Sequence, residues 1–287
     1  MSFVFRRIMS GGRQRSEEGQ QAPANGSAAG ATPPAQPHSE QASPESSPSC
    51  PGLRELRRLA AELCQAGRPP TASSPRDQEE KLYKALPLFN KVFEGVPPHQ
   101  VCERFPSLLQ FTSQVSRLAV SEIRRRAANK STEAASRAIV EFLEDTIGED
   151  DNPGWRLLTT INLLSGTGQK TVDCMTTMSL PSTLVKCLYL FFDLPPASRW
   201  EGDPRPDPVA LEKRVNLQTL LCRCLTILVR LCRYPSPAEE LVQKDDLALL
   251  FGAATSWCPP HNLAWRRSAG DVLRAVSRHG LTNNKPV

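Results

Sequence analysis

Apolar residues recur at helical spacing in one segment after another between residues 78 and 280, and this pattern constrains the fold most. One such stripe consists of Leu108, Phe111, Val115 and Leu118. Residues three and four apart share one face of an α-helix, so each stripe predicts one buried helical face. No segment alternates apolar and polar residues between hairpin turns, as a strand would. The sequence therefore predicts an all-α fold of about nine helices, either an irregular armadillo- or HEAT-like α-solenoid or a helical bundle.

Glycine, proline and capping residues divide this pattern into separate helices. The segments predicted to be helical are residues 53–64, 78–93, 106–126, 131–143, 155–164, 181–194, 211–233, 236–251 (as one or two short helices) and 263–279. Pro87 is expected to kink its helix, whereas Pro106 and Pro181 are expected in the first turn of theirs. Asn129 and Ser131 are both candidates for the N-cap of the helix that follows them.

The N-terminal part of the chain has a different composition. Residues 10–52 contain no Ile, Leu, Val, Met, Phe, Tyr or Trp. Such a segment buries too little apolar area to offset the entropy of ordering it, so it is predicted to be disordered. The predicted organisation is a Ser/Pro/Gly/Ala-rich disordered arm at 1–52, an isolated or packed helix at 53–66, a linker at 67–76, an armadillo-like helical domain at 77–281 and a tail at 282–287.

Charge, cysteine usage and hydropathy limit the location and the partners. The pI is about 8.8 and the net charge +5, but the aromatic content is only 6%, which argues against nucleic acid as a partner. The apolar N-terminal stretch is interrupted by Arg6 and Arg7, so no secretory signal is predicted. The nine cysteines are an odd number, which fits a reducing compartment. The densest apolar run, residues 184–194, is far shorter than the ~18 residues of a spanning helix. We therefore expect a cytoplasmic protein with at most peripheral membrane contact.

Residues 165–171 (Ser-Gly-Thr-Gly-Gln-Lys-Thr) resemble a phosphate-binding loop. Such a loop needs Gly, four residues and then Gly-Lys-Ser/Thr, between a strand and a helix. Here Gln169 separates Gly168 from Lys170, and a predicted helix precedes the stretch. It is therefore interpreted as a turn between helices, and no cofactor or cofactor-binding residue is predicted.

The cysteines and histidines do not form a pattern typical of a metal or catalytic site. Cys222 and Cys224 point about 200° apart on a helix, and neither they nor Cys232 belong to a Cys-x-x-Cys pair. The four histidines, His38, His99, His261 and His279, are scattered, and no nucleophile elbow accompanies them. The sequence therefore predicts no catalytic residue, no metal ligand and no enzyme activity.

Two basic segments support an alternative function. Residues 1–9 are basic and apolar, and Arg124, Arg125, Arg126 and Lys130 form a basic patch at a predicted helix end. Either segment is compatible with a peripheral membrane-association module. The simpler interpretation is a frayed terminus and a solvated helix end.

Several long strings resemble the N-terminal region of the WD repeat and FYVE domain-containing proteins, which belong to the BEACH family. They are residues 78–83 (Gln-Glu-Glu-Lys-Leu-Tyr), 108–118, 122–126, 129–139, 155–164, 168–179, 183–195, 236–241, 244–247, 257–260 (Trp-Cys-Pro-Pro) and 278–281, so the resemblance covers roughly the last two-thirds of the chain. It implies an α-helical, armadillo-like segment of a non-enzymatic scaffold in selective autophagy, the clearance of ubiquitin-positive aggregates. The implied partners are proteins of the autophagy machinery, which would bring the chain to autophagic membranes.

The sequence departs from that family in two respects. The arm at residues 10–52 looks like an insertion, and the BEACH domain, WD repeats and FYVE finger would lie beyond Val287. Phosphoinositide binding by a FYVE finger is therefore not implied for this polypeptide. The resemblance leaves open whether the chain is a fragment, a splice form or an independent protein.

Overall fold

The computed structural model describes residues 51–65, 74–144, 152–192, 208–244, 246–255 and 263–280. All regular secondary structure in these ranges is helical, so the prediction of an all-α fold is confirmed. The twelve helices within them are α1 Pro51–Gln65, α2 Pro75–Phe93, α3 Pro98–Arg104, α4 Leu108–Ala127, α5 Thr132–Leu143, α6 Pro153–Leu164, α7 Gln169–Thr177, α8 Leu180–Phe192, α9 Pro208–Leu231, α10 Pro235–Gln243, α11 Leu247–Thr255 and α12 Leu263–Gly280. The predicted disorder at residues 10–52 falls almost wholly outside the described residues, which begin at residue 51.

Helix starts differ from the sequence prediction where capping chemistry decides them. Helix α2 begins three residues earlier than predicted, because Ser74 and Asp77 form a capping box in which the Ser74 N–H donates to Asp77 Oδ2 at 3.0 Å. Pro87 lies within α2, which continues to Phe93. Ser131 caps α5, whereas Asn129 lies in the preceding turn with φ of 56°. Asn152, whose role was not predicted, caps α6 by accepting from the Gly154 and Trp155 N–H groups.

Two short helices were missed, and one proline was misplaced. Helix α3 has only seven residues, too few to show a period, and helix α7 buries only Thr171, Val172 and Met175. Since α3 occupies residues 98–104, Pro106 stands in the turn before α4, and the prediction that it opens a helix was wrong. Pro181 is the second residue of α8, in the first turn as expected.

A continuous hydrophobic core joins the helices from Leu56 in α1 to Val276 in α12. Helix α1 packs on α2, α2 packs on α6, α4 packs on α5 and α7, and both α9 and α11 pack on α12. The largest aromatic group in this core consists of four phenylalanines with neighbouring ring centroids 4.9–6.1 Å apart, namely Phe89, Phe93, Phe105 and Phe111. Aromatic pairs at such distances each contribute about 0.5–1.5 kcal/mol beyond their burial, so this group fixes the end of α2 against α3 and α4.

Buried polar contacts fix the positions of three helices that end near one another. Thr160 of α6 donates through Oγ1 to Asn90 Oδ1 of α2 at 2.8 Å, and Asn90 Nδ2 donates to the Arg156 carbonyl at 3.1 Å. On the other side, Arg223 of α9 lies over the Trp155 ring of α6, 4.2 Å from its centroid. Helices α2, α6 and α9 are thereby held in one arrangement, and their C-terminal ends surround a cleft.

Candidate functional site

A cleft of about 320 Å³ lies where α2, α6 and α9 end. Its wall also includes the turn between α6 and α7 and the residues just before and within α3. Ligand pockets typically have volumes of ~300–1,000 Å³, so this cleft is at the small end of that range. It has room for one or two side chains of a partner and not for a large cofactor.

The inner wall of the cleft is apolar and held in place from behind. Phe89 and Phe93, which are at most 1% exposed, form its base as part of the aromatic group described above. The half-buried side chains of Val96, Leu163 and Tyr234 lie in front of these rings. The cleft thus presents a preformed apolar surface that a ligand can cover.

Arg230 supplies a half-buried positive charge to the cleft. Its Nη1 donates to both the carbonyl oxygen and Oδ1 of Asn162, each at 3.0 Å, which links the last turn of α9 to α6. Burial lowers the pKa of the Arg230 guanidinium below its ordinary value, and the nearby charge of Arg233 lowers it further. A guanidinium still keeps its proton at neutral pH, so the charge remains.

Arg233 places a second cation at the mouth of the cleft. It lies in the turn after α9, its side chain is exposed, and it also lines the cleft. In the part of the chain that the structure describes, neither Arg230 nor Arg233 forms an ion pair with a carboxylate. The cleft therefore combines two positive charges without a counter-ion and an apolar inner wall.

The stretch that resembles a phosphate-binding loop forms part of the cleft wall, between α6 and α7. The Gly166 N–H donates to the Leu163 carbonyl at 3.2 Å, and the Thr167 N–H donates to the Leu164 carbonyl at 3.1 Å. These two N–H groups are hydrogen-bonded to the last turn of α6, so they are not available to a ligand. A phosphate-binding loop directs its amides toward the phosphate, so this turn does not have that geometry.

Those cysteines and histidines from the sequence analysis that the structure describes do not line the cleft. Cys224 and Cys232 are buried, and burial raises the pKa of each thiol to about 12. His99 is exposed on α3, and His279 of α12 lies with Nε2 3.1 Å from the Cys232 carbonyl. His38 and His261 lie outside the described residues. Within the described ranges, no three His, Cys, Asp or Glu residues are grouped as metal ligands would be.

The arginine patch on α4 is largely engaged within the protein, which the sequence interpretation did not foresee. Glu122 is only 3% exposed and accepts from Arg125 Nη2 at 2.6 Å and from Arg126 Nη1. The Arg126 guanidinium also lies 3.5 Å from the centroid of the Phe142 ring. Arg125 and Arg126 stand three and four residues after Glu122, and this spacing is the sequence signal that could have predicted the network. Arg124 and Lys130 remain as exposed cations of the patch.

Arg230 and Arg233, which distinguish the cleft, were not identified by sequence reasoning. They occur as Arg-Leu-Cys-Arg at the end of α9, a spacing that is common at helix ends, where basic residues complement the dipole. Their significance depends on Phe93 and Leu163, which come from other helices.

Comparisons with known proteins place the chain beside one group of very large proteins. It is 28% identical over 211 residues to WD repeat- and FYVE domain-containing protein 4 of Homo sapiens, and 30% identical over 208 residues to the Mus musculus protein of the same name. The chain is similar to WD repeat- and FYVE domain-containing proteins. The matches cover 72% and 71% of this chain but only 6% of each relative, so the chain corresponds to a small segment of them.

Two further comparisons gave no match: no family model and no solved structure is similar to the chain. In the described ranges, no helix is both long and apolar enough to cross a membrane. The similarity to WD repeat- and FYVE domain-containing proteins therefore carries the family-level argument alone.

Proposed function

We propose that the chain is a non-enzymatic helical interaction module, equivalent to the N-terminal region of a BEACH-type scaffold in selective autophagy. The observation that carries the proposal is the cleft, in which Arg230 and Arg233 have no counter-ion among the described residues and lie beside an apolar wall. Such a site is suited to holding a partner. The finer assignment, to WD repeat and FYVE domain-containing protein 3 and to the clearance of ubiquitin-positive aggregates, rests on the strings of residues given above.

The polar groups of the cleft support binding in preference to catalysis. Ser165 Oγ donates to the Asn162 carbonyl at 2.8 Å, and Thr167 Oγ1 donates to the Leu164 carbonyl at 2.8 Å. A hydroxyl becomes a nucleophile when a base accepts its proton, and a backbone carbonyl is not such a base. A guanidinium group stays protonated near neutral pH, so it has no free electron pair with which to act as a general base.

The partners in this proposal are proteins of the autophagy machinery, met in the cytoplasm, and membranes are reached only through those partners. The alternative, a peripheral membrane-association module, has no observation in its favour. Residues 1–9 lie outside the described residues, and two of the three patch arginines are paired with Glu122.

The proposal is tested in cells from which the chain has been removed. We expect ubiquitin-positive aggregates to persist after their synthesis is stopped, while bulk starvation-induced autophagy proceeds at its usual rate. Re-expression of the wild-type chain is expected to restore clearance. Normal clearance in the depleted cells would rule out the autophagy role, whether or not the cleft binds a ligand.

A further inference from the structure

We propose that the cleft binds a short segment of a partner protein in which an acidic side chain lies close to a bulky aliphatic or aromatic one. This inference rests on the proposed function, since it names the chemistry of the partner that such an interaction module receives. It assigns Arg230 and Arg233 to the carboxylate, and it assigns the wall formed by Val96, Leu163 and Tyr234 to the apolar side chain.

The charge of the cleft requires an anionic group in the ligand. A guanidinium has five N–H donors. Arg230 uses Nη1 on Asn162, and its remaining donors have no partner among the described residues. The Arg233 guanidinium has no hydrogen-bonded partner in the same ranges. A carboxylate accepts two parallel hydrogen bonds from one guanidinium, which makes it the matching group.

The helix ends determine where that carboxylate lies. Helices α2, α6 and α9 all end at the cleft, and a helix C-terminus carries a partial negative charge. The apolar wall beside these helix ends therefore disfavours an anion, whereas the half-buried Arg230 and the exposed Arg233 guanidinium groups attract one. This arrangement places the carboxylate beside the two arginines and an uncharged side chain against the apolar wall.

The same features disfavour a nucleic acid and a membrane. A nucleic-acid surface combines a stripe of cations with aromatic rings exposed for stacking, but Phe89 and Phe93 are at most 1% exposed. A membrane-binding face needs a broad apolar area surrounded by basic residues. This cleft is small and has two cations, so it fits one or two side chains of a peptide.

The experiment selects peptides with the full-length chain from a random library displayed on phage, and then measures affinities of the selected synthetic peptides by fluorescence anisotropy. We expect the selected sequences to contain Asp or Glu within a few residues of Leu, Ile, Val or Phe. Arg233→Glu is expected to weaken their binding about tenfold or more, since a charge-assisted hydrogen bond is replaced by repulsion. Arg124→Glu is the matched control, because Arg124 is also exposed at a helix end but lies outside the cleft.

A second variant tests the apolar wall without changing a charge. Gly166 lines the cleft, and a Cβ atom added there would meet only the Leu163 carbonyl oxygen, at an ordinary 3.6 Å. The position therefore accepts a Cβ atom, and the leucine side chain of Gly166→Leu is expected to cover part of the cleft. We expect it to weaken the selected peptides by about tenfold, while thermal unfolding shows that the variant is as stable as the wild-type chain.

The inference would be overturned by selected peptides that lack carboxylates, by equal affinities of the wild-type and Arg233→Glu chains, or by a library in which nothing is enriched. Flotation with phosphatidylserine vesicles is run in parallel. Vesicle binding that Arg233→Glu abolishes, without peptide binding, would assign the cleft to lipid and overturn the peptide proposal. Peptide binding together with normal aggregate clearance in depleted cells would retain the inference and reject the autophagy role.

Discussion

Gly154 of α6 lies directly against the carbonyl oxygen of Phe142 in α5: a Cβ atom added to Gly154 would stand 1.9 Å from that oxygen. The first turn of α6 therefore depends on a residue without a side chain. We expect Gly154→Ala to lower the free energy of unfolding by about 1–3 kcal/mol, because the two helices must move apart. Urea denaturation followed by circular dichroism measures this change.

Gly270 of α12 provides the matched control for this substitution. An added Cβ at Gly270 meets nothing within 4 Å, so Gly270→Ala is expected to raise stability by about 0.5–1 kcal/mol through helix propensity. Equal effects of the two substitutions would show that the close approach of Gly154 to Phe142 is not the reason for its glycine.

The Glu122 network is expected to stabilise the joint between α4 and α5. Removing Glu122 leaves Arg126 without its carboxylate above the Phe142 ring, so Glu122→Ala should lower the free energy of unfolding by about 1–3 kcal/mol. Arg125→Ala should cost less than about 1 kcal/mol, because Arg125 is largely exposed. Urea denaturation of both variants checks the order, and a larger loss for Arg125→Ala would contradict it.

The buried carboxyl of Glu240 is expected to make stability depend on pH. Burial raises the pKa of Glu240 above its ordinary value, the Lys244 ammonium opposes this, and the carboxylate of Asp246 adds to the rise. When the pKa of an acid is higher in the folded chain than in the unfolded chain, its ionised form lowers the free energy of unfolding at pH values above the folded-state pKa. This loss of stability disappears as the pH falls toward the pKa that the group has in the unfolded chain. Relative to the wild-type chain, the free energy of unfolding of Glu240→Gln should therefore be most favourable near pH 7.5, where Glu240 is ionised.

The check is the difference in unfolding free energy between Glu240→Gln and the wild-type chain, measured from pH 7.5 down to pH 4.5. The difference is expected to shift steadily against the variant as Glu240 in the wild-type chain becomes protonated. Because Gln also replaces the ion pair with Lys244, the slope with pH carries the prediction and the absolute value does not. A difference that does not change with pH would contradict it.

The cysteines should differ sharply in reactivity. The thiolate is the reactive form, and with a pKa of about 12 the Cys224 and Cys232 thiols are almost wholly protonated at pH 8. Both are also buried, whereas Cys102 is exposed on α3. We expect iodoacetamide at pH 8 to modify Cys102 at least tenfold faster, as followed by peptide mass spectrometry. Comparable rates at the three positions would indicate that α9 and the turn after it open readily.

The long helices were predictable because periodicity is a local property. The stripe of Leu108, Phe111, Val115 and Leu118 in α4 indicates both the helix and its buried face, and the structure buries all four. Helix α7 escaped prediction because it is short and polar and depends on packing against α4 and α10. The cleft was not predicted from the sequence for a stronger reason. It brings together Phe93, Leu163 and Arg230 from three helices far apart in the chain, and one sequence does not reveal such contacts.

The hydrogen bonds from Arg230 to Asn162 also affect the entropy of binding. A free arginine side chain loses about 2 kcal/mol of rotamer freedom when it is immobilised. In this cleft the guanidinium is already held by the Asn162 carbonyl and Oδ1. That loss of freedom occurs when the protein folds, so a ligand that meets Arg230 encounters an oriented cation. The contact that joins α9 to α6 therefore also favours affinity, since less motion remains to be restricted.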